Sequence, residues 1–217
     1  MTETERSLDS GRAEKGEARP DGPGSREPSP DGLGPSGFDP SRDQCHGLDT
    51  PERVCFYEQD FYVLSNFSSF QITWYVGLFA TSEHLYHWER FQLDDESYPS
   101  HDDVPEWRRR VAELLAERVR GARSAHDAFR LAQEGKAFQR PDWEDVKVGV
   151  MRRILKTKAD QHEYVRRKLL ATGKRELVEN SWRDGFWGWG ANRDGQNMLG
   201  KLWMEVRDEL RAQGGNA

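Results

Sequence analysis

The sequence predicts an α+β protein: a mainly helical single domain with a few short strands, preceded by a disordered N-terminal tail. All eight Trp of the 217-residue chain lie beyond residue 70, whereas the first fifty residues hold six of the ten Pro and a single aromatic, Phe38. Those fifty residues also carry 11 Asp or Glu against 6 Lys or Arg, and they offer too little apolar surface to offset the entropy of ordering them. From Arg53 onward, aromatic and β-branched residues cluster, and a helical period replaces them at Ser82. The acidic, Pro- and Gly-rich tail is therefore placed at residues 1–50 and the folded domain at 51–213.

The segment "RVCFYEQDFYVLSNFSSFQITWYVGLFA" predicts short strands, with Phe70, Ile72 and Trp74 alternating with polar residues and Gly77 near a hairpin turn. Thr81 or Ser82 is suited to cap the helix that follows. Further helices are expected at about 105–120, 124–134, 142–158 and 160–171, with Asp142 and Asp145 marking one start and Gly173 one stop. "RELVENS" reads as a short strand. "WRDGFWGWGANRDGQNMLG" contains five glycines and reads as a loop, and a last amphipathic helix carries Leu199, Leu202, Trp203, Val206 and Leu210 on one side.

Nearly all of the net charge of −6 belongs to the tail, so the domain is close to neutral and lacks a generic basic surface for nucleic-acid backbones. No apolar run approaches the roughly 20 residues of a membrane span, and the first residues lack the apolar core of a secretion signal. The expectation is a cytoplasmic protein. Cys45 and Cys55 match neither a metal finger nor a disulfide framework, and both are expected to be free thiols.

The stretch "ATSEHLYHWERF" concentrates chemistry. On a helix, Glu83, Tyr86, His87 and Arg90 share one stripe, while His84, Trp88 and Phe91 share another. Glu83 falls in the first turn, where the helix dipole favours a carboxylate. An anion fixed beside aromatic surfaces suits a transition state that becomes cationic. The same stripe is also what a solvated helix presents, with His87 half exposed and Arg90 paired to a surface acid, and the pattern alone leaves both open. His84 and His87, three residues apart, match no metalloprotease spacing and have no third ligand in sight. In the late loop, Gly188, Gly190 and Gly195 permit close backbone approach, and Asn197 stands at a helix start suited to an anion, or to nothing more than a connection. Trp143, Trp182, Trp187 and Trp189 offer faces for stacking a planar ring or for packing the core.

Five blocks, "FYEQDFYVLSNF", "TSEHLYHWERF", "WEDVKVGVMRRILKTK", "LLATGKRELVE" and "DGFWGWGANRDGQNMLGKLWMEVR", resemble the NADAR family of YbiA-like proteins, in the family's order and over about residues 54–210. The resemblance implies an α+β fold and an N-glycosidase that hydrolyses the bond between a ribose anomeric carbon and a base nitrogen, without cofactor or metal. It implies two substrate classes: phosphoribosylamino-pyrimidine intermediates of riboflavin synthesis, and ADP-ribose on guanine, which would make ADP-ribosylated nucleic acid a partner. A binding module for ADP-ribose or a nucleotide is the non-catalytic alternative.

On this resemblance Glu83 stabilises the oxocarbenium-like sugar, Trp143 and Trp187 hold the base, Asp184 is a second acid, and Ser65 and Asn66 bond sugar hydroxyls or the base edge. His87 and Gly188 join the substrate-binding set, and Arg90 and the Asn197 turn meet a phosphate. One departure stands out. Many relatives carry Lys where this chain has Arg90, and a guanidinium cannot form a Schiff base with an opened ribose. Either that covalent route is absent, or another lysine such as Lys147 supplies it; Lys147 is equally readable as a solvated surface residue.

Overall fold

The computed structural model describes residues 48–56, 59–93 and 104–214. All of the predicted tail except residues 48–50 lies outside them, Cys45 included. The mainly helical α+β class predicted from the sequence is the class observed.

Strand β1 (Arg53–Cys55) runs parallel to β4 (Glu176–Val178), with Val54 opposite Leu177. A parallel pair needs a long crossover, and here the crossover is almost the entire helical body. It begins with a 3-10 helix, Gln59–Leu64, where the sequence suggested only strands. The aromatic content of this segment has the propensity of a strand, but burial of Val63 and Leu64 against the helices decides otherwise.

The hairpin of β2 (Ile72–Trp74) and β3 (Gly77–Phe79) follows. Gly77 turns it at φ 122, a conformation that disfavours any side chain. Helix α1 (Ser82–Glu89) then starts on Thr81, whose extended backbone lets its hydroxyl accept the N–H of His84. A cap of this kind contributes about 1 kcal/mol.

Next come α2 (Glu106–Arg120), α3 (Ala125–Glu134), a 3-10 turn at Lys136–Phe138, α4 (Trp143–Gln161) and α5 (Glu163–Ala171). Asp142 precedes α4 without capping it; its carboxylate takes both Nε and a terminal nitrogen of Arg140, at 2.6 and 2.9 Å. Gly173, at φ 61, stops the chain after α5 as expected. After β4 and the glycine loop, α6 (Met198–Gly214) packs on α4 and β4.

Helix α1 packs against α2, α3 and α4, and each of its residues from Ser82 to Glu89 is buried. The predicted two stripes are therefore both interior, and neither faces solvent. Burying two carboxylates, two imidazoles and the adjoining Arg90 is costly unless they are paired. Among the described residues, no helix is long and apolar enough to cross a membrane.

Candidate active site

Glu83 is 7% exposed and held from two directions. Its backbone N–H is donated to the carbonyl of Asn66 at 3.1 Å, and its Oε1 lies 3.0 Å from Nε2 of His87, one turn along α1. A carboxylate only accepts, so Nε2 of His87 carries the proton. Nδ1 of His87 and Oδ1 of Asn66 are both buried without a protein partner. The half-exposed His87 and the surface-paired Arg90 of the alternative reading are excluded.

The turn that carries Asn66 is fixed from below. Lys158 of α4, fully buried, donates from Nζ to the Ser65 carbonyl at 2.9 Å and to the Ser68 hydroxyl at 2.8 Å. Burial holds its pKa down at about 7 against the pull of Glu179, and two acceptors match the two N–H groups of a neutral amine. The Asn66 amide nitrogen donates to the sulfur of Met151 at 3.4 Å, which turns its oxygen the other way.

Aromatic rings line the next turn of α1. The ring of Tyr86 lies 4.9 Å from Trp143, 5.5 Å from Trp187 and 5.1 Å from His87, centroid to centroid. Burial, then the charge of Glu83, pushes the Tyr86 hydroxyl well above its ordinary pKa, so it remains a neutral donor. Trp143 is only 2% exposed and packs as core; Trp187, half-buried, is the indole with surface left. Beyond Tyr86, Arg90 donates from Nε to the side-chain oxygen of Gln139 at 2.6 Å. Burial lowers its pKa, and the charge of Glu144 is among the effects that oppose it.

The late loop brings up further acids. Asp184 Oδ1 accepts the N–H groups of Phe186 and Trp187, both at 2.8 Å, and so shapes the turn that presents Trp187. Glu179, just beyond β4, was assigned no role from the sequence. It is buried, and burial, then the charges of Glu83 and Asp184, push its carboxyl up to about 8 while Lys158 pulls the other way. Its Oε2 has no partner within the protein. The carboxyl groups of Glu83 on α1 and Asp184 on the loop thus both act on Glu179 at the end of β4.

Three expectations are corrected. The N–H groups at the Asn197 turn are not free for an anion: those of Asn197, Met198 and Leu199 are donated to the carbonyls of Gly188, Phe186 and Trp187. The close approach allowed by Gly188 is to the protein itself, since a Cβ there would lie 2.8 Å from the Glu179 carbonyl. Lys147 is not a solvated lysine: it pairs with Glu144, and its Nζ lies 3.9 Å from the centroid of the Phe186 ring.

His84, considered for a metal, is held by the Thr81 hydroxyl at 2.8 Å and faces the Ala122 carbonyl at 3.2 Å. Cys55 is a buried cysteine outside any disulfide, with its Sγ 3.9 Å from the Leu48 carbonyl. A cavity of about 660 Å³ opens beside Phe67, Thr81 and His84, and another of about 400 Å³ beside Arg53, Trp189 and Lys201; Glu83 lines neither.

Missed residues had faint signals. Lys158 interrupts the apolar stripe of Met151, Ile154 and Leu155, and Glu179 directly follows the apolar pair of β4. Tyr86 lies on the predicted Glu83 stripe, but nothing in the pattern marks it out.

The family model described as the NADAR domain matches residues 55–211. A riboflavin biosynthesis protein of Vibrio vulnificus is 39% identical over 160 residues, 73% of this chain but 38% of that protein's length. The N-glycosidase YbiA of Escherichia coli is 34% identical over 140 residues, 62% of this chain and 88% of that protein. The NMR structure of E. coli YbiA superposes with a TM-score of 0.62 at 29% identity, covering 81% of this chain and 96% of that one.

Proposed function

This chain belongs to the NADAR domain family, and on that premise we propose that it is an N-glycosidase that hydrolyses the bond between ribose C1′ and a base nitrogen. Its substrate class is the phosphoribosylamino-pyrimidine intermediates of riboflavin synthesis, in keeping with the names of the relatives. The observation that carries the reading is the buried Glu83–His87 pair, 3.0 Å apart and one residue from the Tyr86 ring that Trp143 and Trp187 contact.

As the base departs, the sugar gains oxocarbenium character, and a carboxylate fixed in a poorly screened interior stabilises that charge more than it would in water. His87 fixes the rotamer of Glu83, so no reorganisation is needed at the moment of reaction. Trp187 supports the base and Asn66 Oδ1 accepts from a sugar hydroxyl or from the base. Trp143 acts behind Tyr86, as the wall against which that ring rests. Arg90 cannot form a Schiff base, and the hydrolysis proceeds without one.

The test incubates purified protein with the phosphoribosylamino-pyrimidine and measures free ribose 5-phosphate, with E. coli YbiA in parallel and ADP-ribosylated single-stranded DNA as a competing substrate. Release from the pyrimidine compound, lost in Glu83→Gln, is expected. Preference for the modified DNA would overturn the substrate class, and binding without turnover of either would overturn the reaction.

A further inference from the structure

We infer that Glu179 is a second catalytic carboxyl, the acid that hands a proton to the departing base nitrogen while Glu83 serves the sugar. The inference rests on the N-glycosidase reading above.

The backbone of Glu179 is held on three sides. Its N–H is donated to Asn197 Oδ1 at 3.0 Å, its carbonyl accepts the N–H of Trp189 at 3.0 Å, and Gly188 packs against that carbonyl with no room for a side chain. The side chain is not secured in the same way. It is 7% exposed, yet Oε2 has no protein partner. Buried acids that serve only structure are hydrogen-bonded as a rule.

Three charged groups act on it: Glu83 from α1, Asp184 from the late loop, and Lys158 from α4. Burial and two like charges outweigh the one cation, which is committed to Ser65 and Ser68 and is itself driven toward its neutral form. Glu179 therefore holds a proton at neutral pH, pushed up to about 8. A second buried acceptor without a partner belongs to the residue that holds the Glu83 backbone: it is Asn66 Oδ1, and the carbonyl of the same residue takes the N–H of Glu83.

Glycoside hydrolysis uses two carboxyls in opposite protonation states. In the forward step the C1′–N bond breaks and its electron pair moves to nitrogen, which takes the proton of Glu179. Water oxygen bonds to C1′ and yields its proton to Glu83. The products are free sugar and protonated base nitrogen, and one proton has passed from Glu179 to Glu83. Exchange with solvent after product release restores both groups.

The experiment compares wild type and Glu179→Gln on two substrates, the phosphoribosylamino-pyrimidine and 4-nitrophenyl β-D-ribofuranoside 5-phosphate, whose leaving group departs without a proton. General acid catalysis is worth about 10²- to 10⁴-fold. The expected result is a loss in that range on the pyrimidine compound and less than about fivefold on the nitrophenyl one. Wild-type kcat should also fall as pH rises through the Glu179 titration, a limb absent from the variant. Equal losses on both substrates, or no loss, would overturn the acid role while leaving the glycosidase reading intact. If Glu179→Gln does not fold, Glu179→Met serves instead: it too has no proton to donate, and a loss on the pyrimidine compound no larger than that on the nitrophenyl one would equally overturn the role. No wild-type turnover of either substrate would remove the reaction and the acid with it.

Discussion

The side chain of Asn197 ties the loop back to the strand before it: its Oδ1 accepts the N–H of Glu179 at 3.0 Å, while its Nδ2 donates to the carbonyl of Leu177 at 2.9 Å. Asn197 itself sits at φ 50, a conformation that Asn tolerates better than most residues. Asn197→Ala leaves two buried backbone groups unsatisfied, and each such group costs about 1–3 kcal/mol. We expect a clear drop in the urea midpoint, together with a fall in turnover because Glu179 loses its anchor. An unchanged midpoint would show that the two bonds are replaced.

Glu83→Gln keeps the size of the side chain and removes its charge. Turnover should fall at least about 100-fold, in line with the removal of one electrostatic stabiliser from an active site, while the far-ultraviolet circular dichroism stays as in wild type. His87→Ala should cost less, because it frees the rotamer of Glu83 but leaves the carboxylate in place. Comparable activity in wild type and Glu83→Gln would sink the assignment.

Stability should depend on pH through Glu179 and Lys158. The folded-state pKa of Glu179 is raised from 4.5 to about 8, so between those values the folded chain holds a proton that the unfolded chain has lost, and stability falls as pH rises. The folded pKa of Lys158 is lowered from 10.5 to about 7, so between 7 and 10.5 the unfolded chain binds the extra proton and stability recovers as pH rises. Glu179→Gln removes the first effect and, by taking away the charge that pulls Lys158 up, extends the second to lower pH, which acts in the same direction. Its melting temperature relative to wild type should therefore increase from pH 5 to pH 8, by the equivalent of more than about 1.4 kcal/mol, which is one pKa unit. A difference that does not change with pH would contradict the placement of Glu179.

Among the described glycines, Gly200 has the least room. A Cβ there would lie 2.0 Å from the Leu177 carbonyl, a backbone atom that cannot swing aside. Although Ala favours helices, Gly200→Ala in α6 should destabilise by about 1–3 kcal/mol, as overpacking does. Guanidinium unfolding of the pair measures it, and a stabilised variant would show that α6 can slide away from β4.

The helices were legible wherever the apolar period was long. Predicted 105–120 and 124–134 became Glu106–Arg120 and Ala125–Glu134, and Gly173 stopped the chain where expected. The end of α4 was placed short, because Lys158, Ala159 and Gln161 carry no breaking signal until His162 turns extended. The 3-10 helix at Gln59–Leu64 was not legible, since its residues have strand propensity and only packing selects the tighter coil. In the site, the stripe that carries Glu83 left a solvated helix as open as a pocket wall, and the family resemblance is what singled out Glu83. Asn197 was misread because a helix start looks like an anion site until one knows where its N–H groups go.

By itself the sequence determined that a helix would carry Glu83, Tyr86, His87 and Arg90 on one stripe, because a period of 3.6 residues is a local property of the chain. It also determined that Gly77 and Gly173 would punctuate elements, because only glycine adopts their backbone angles without strain. Only the tertiary structure decided that both stripes of that helix are interior, and that Glu179, Asp184 and Lys158, distant in the chain, share one field with Glu83. Protonation states in a buried cluster depend on desolvation and on charges brought together by folding, and neither quantity is written in the order of residues.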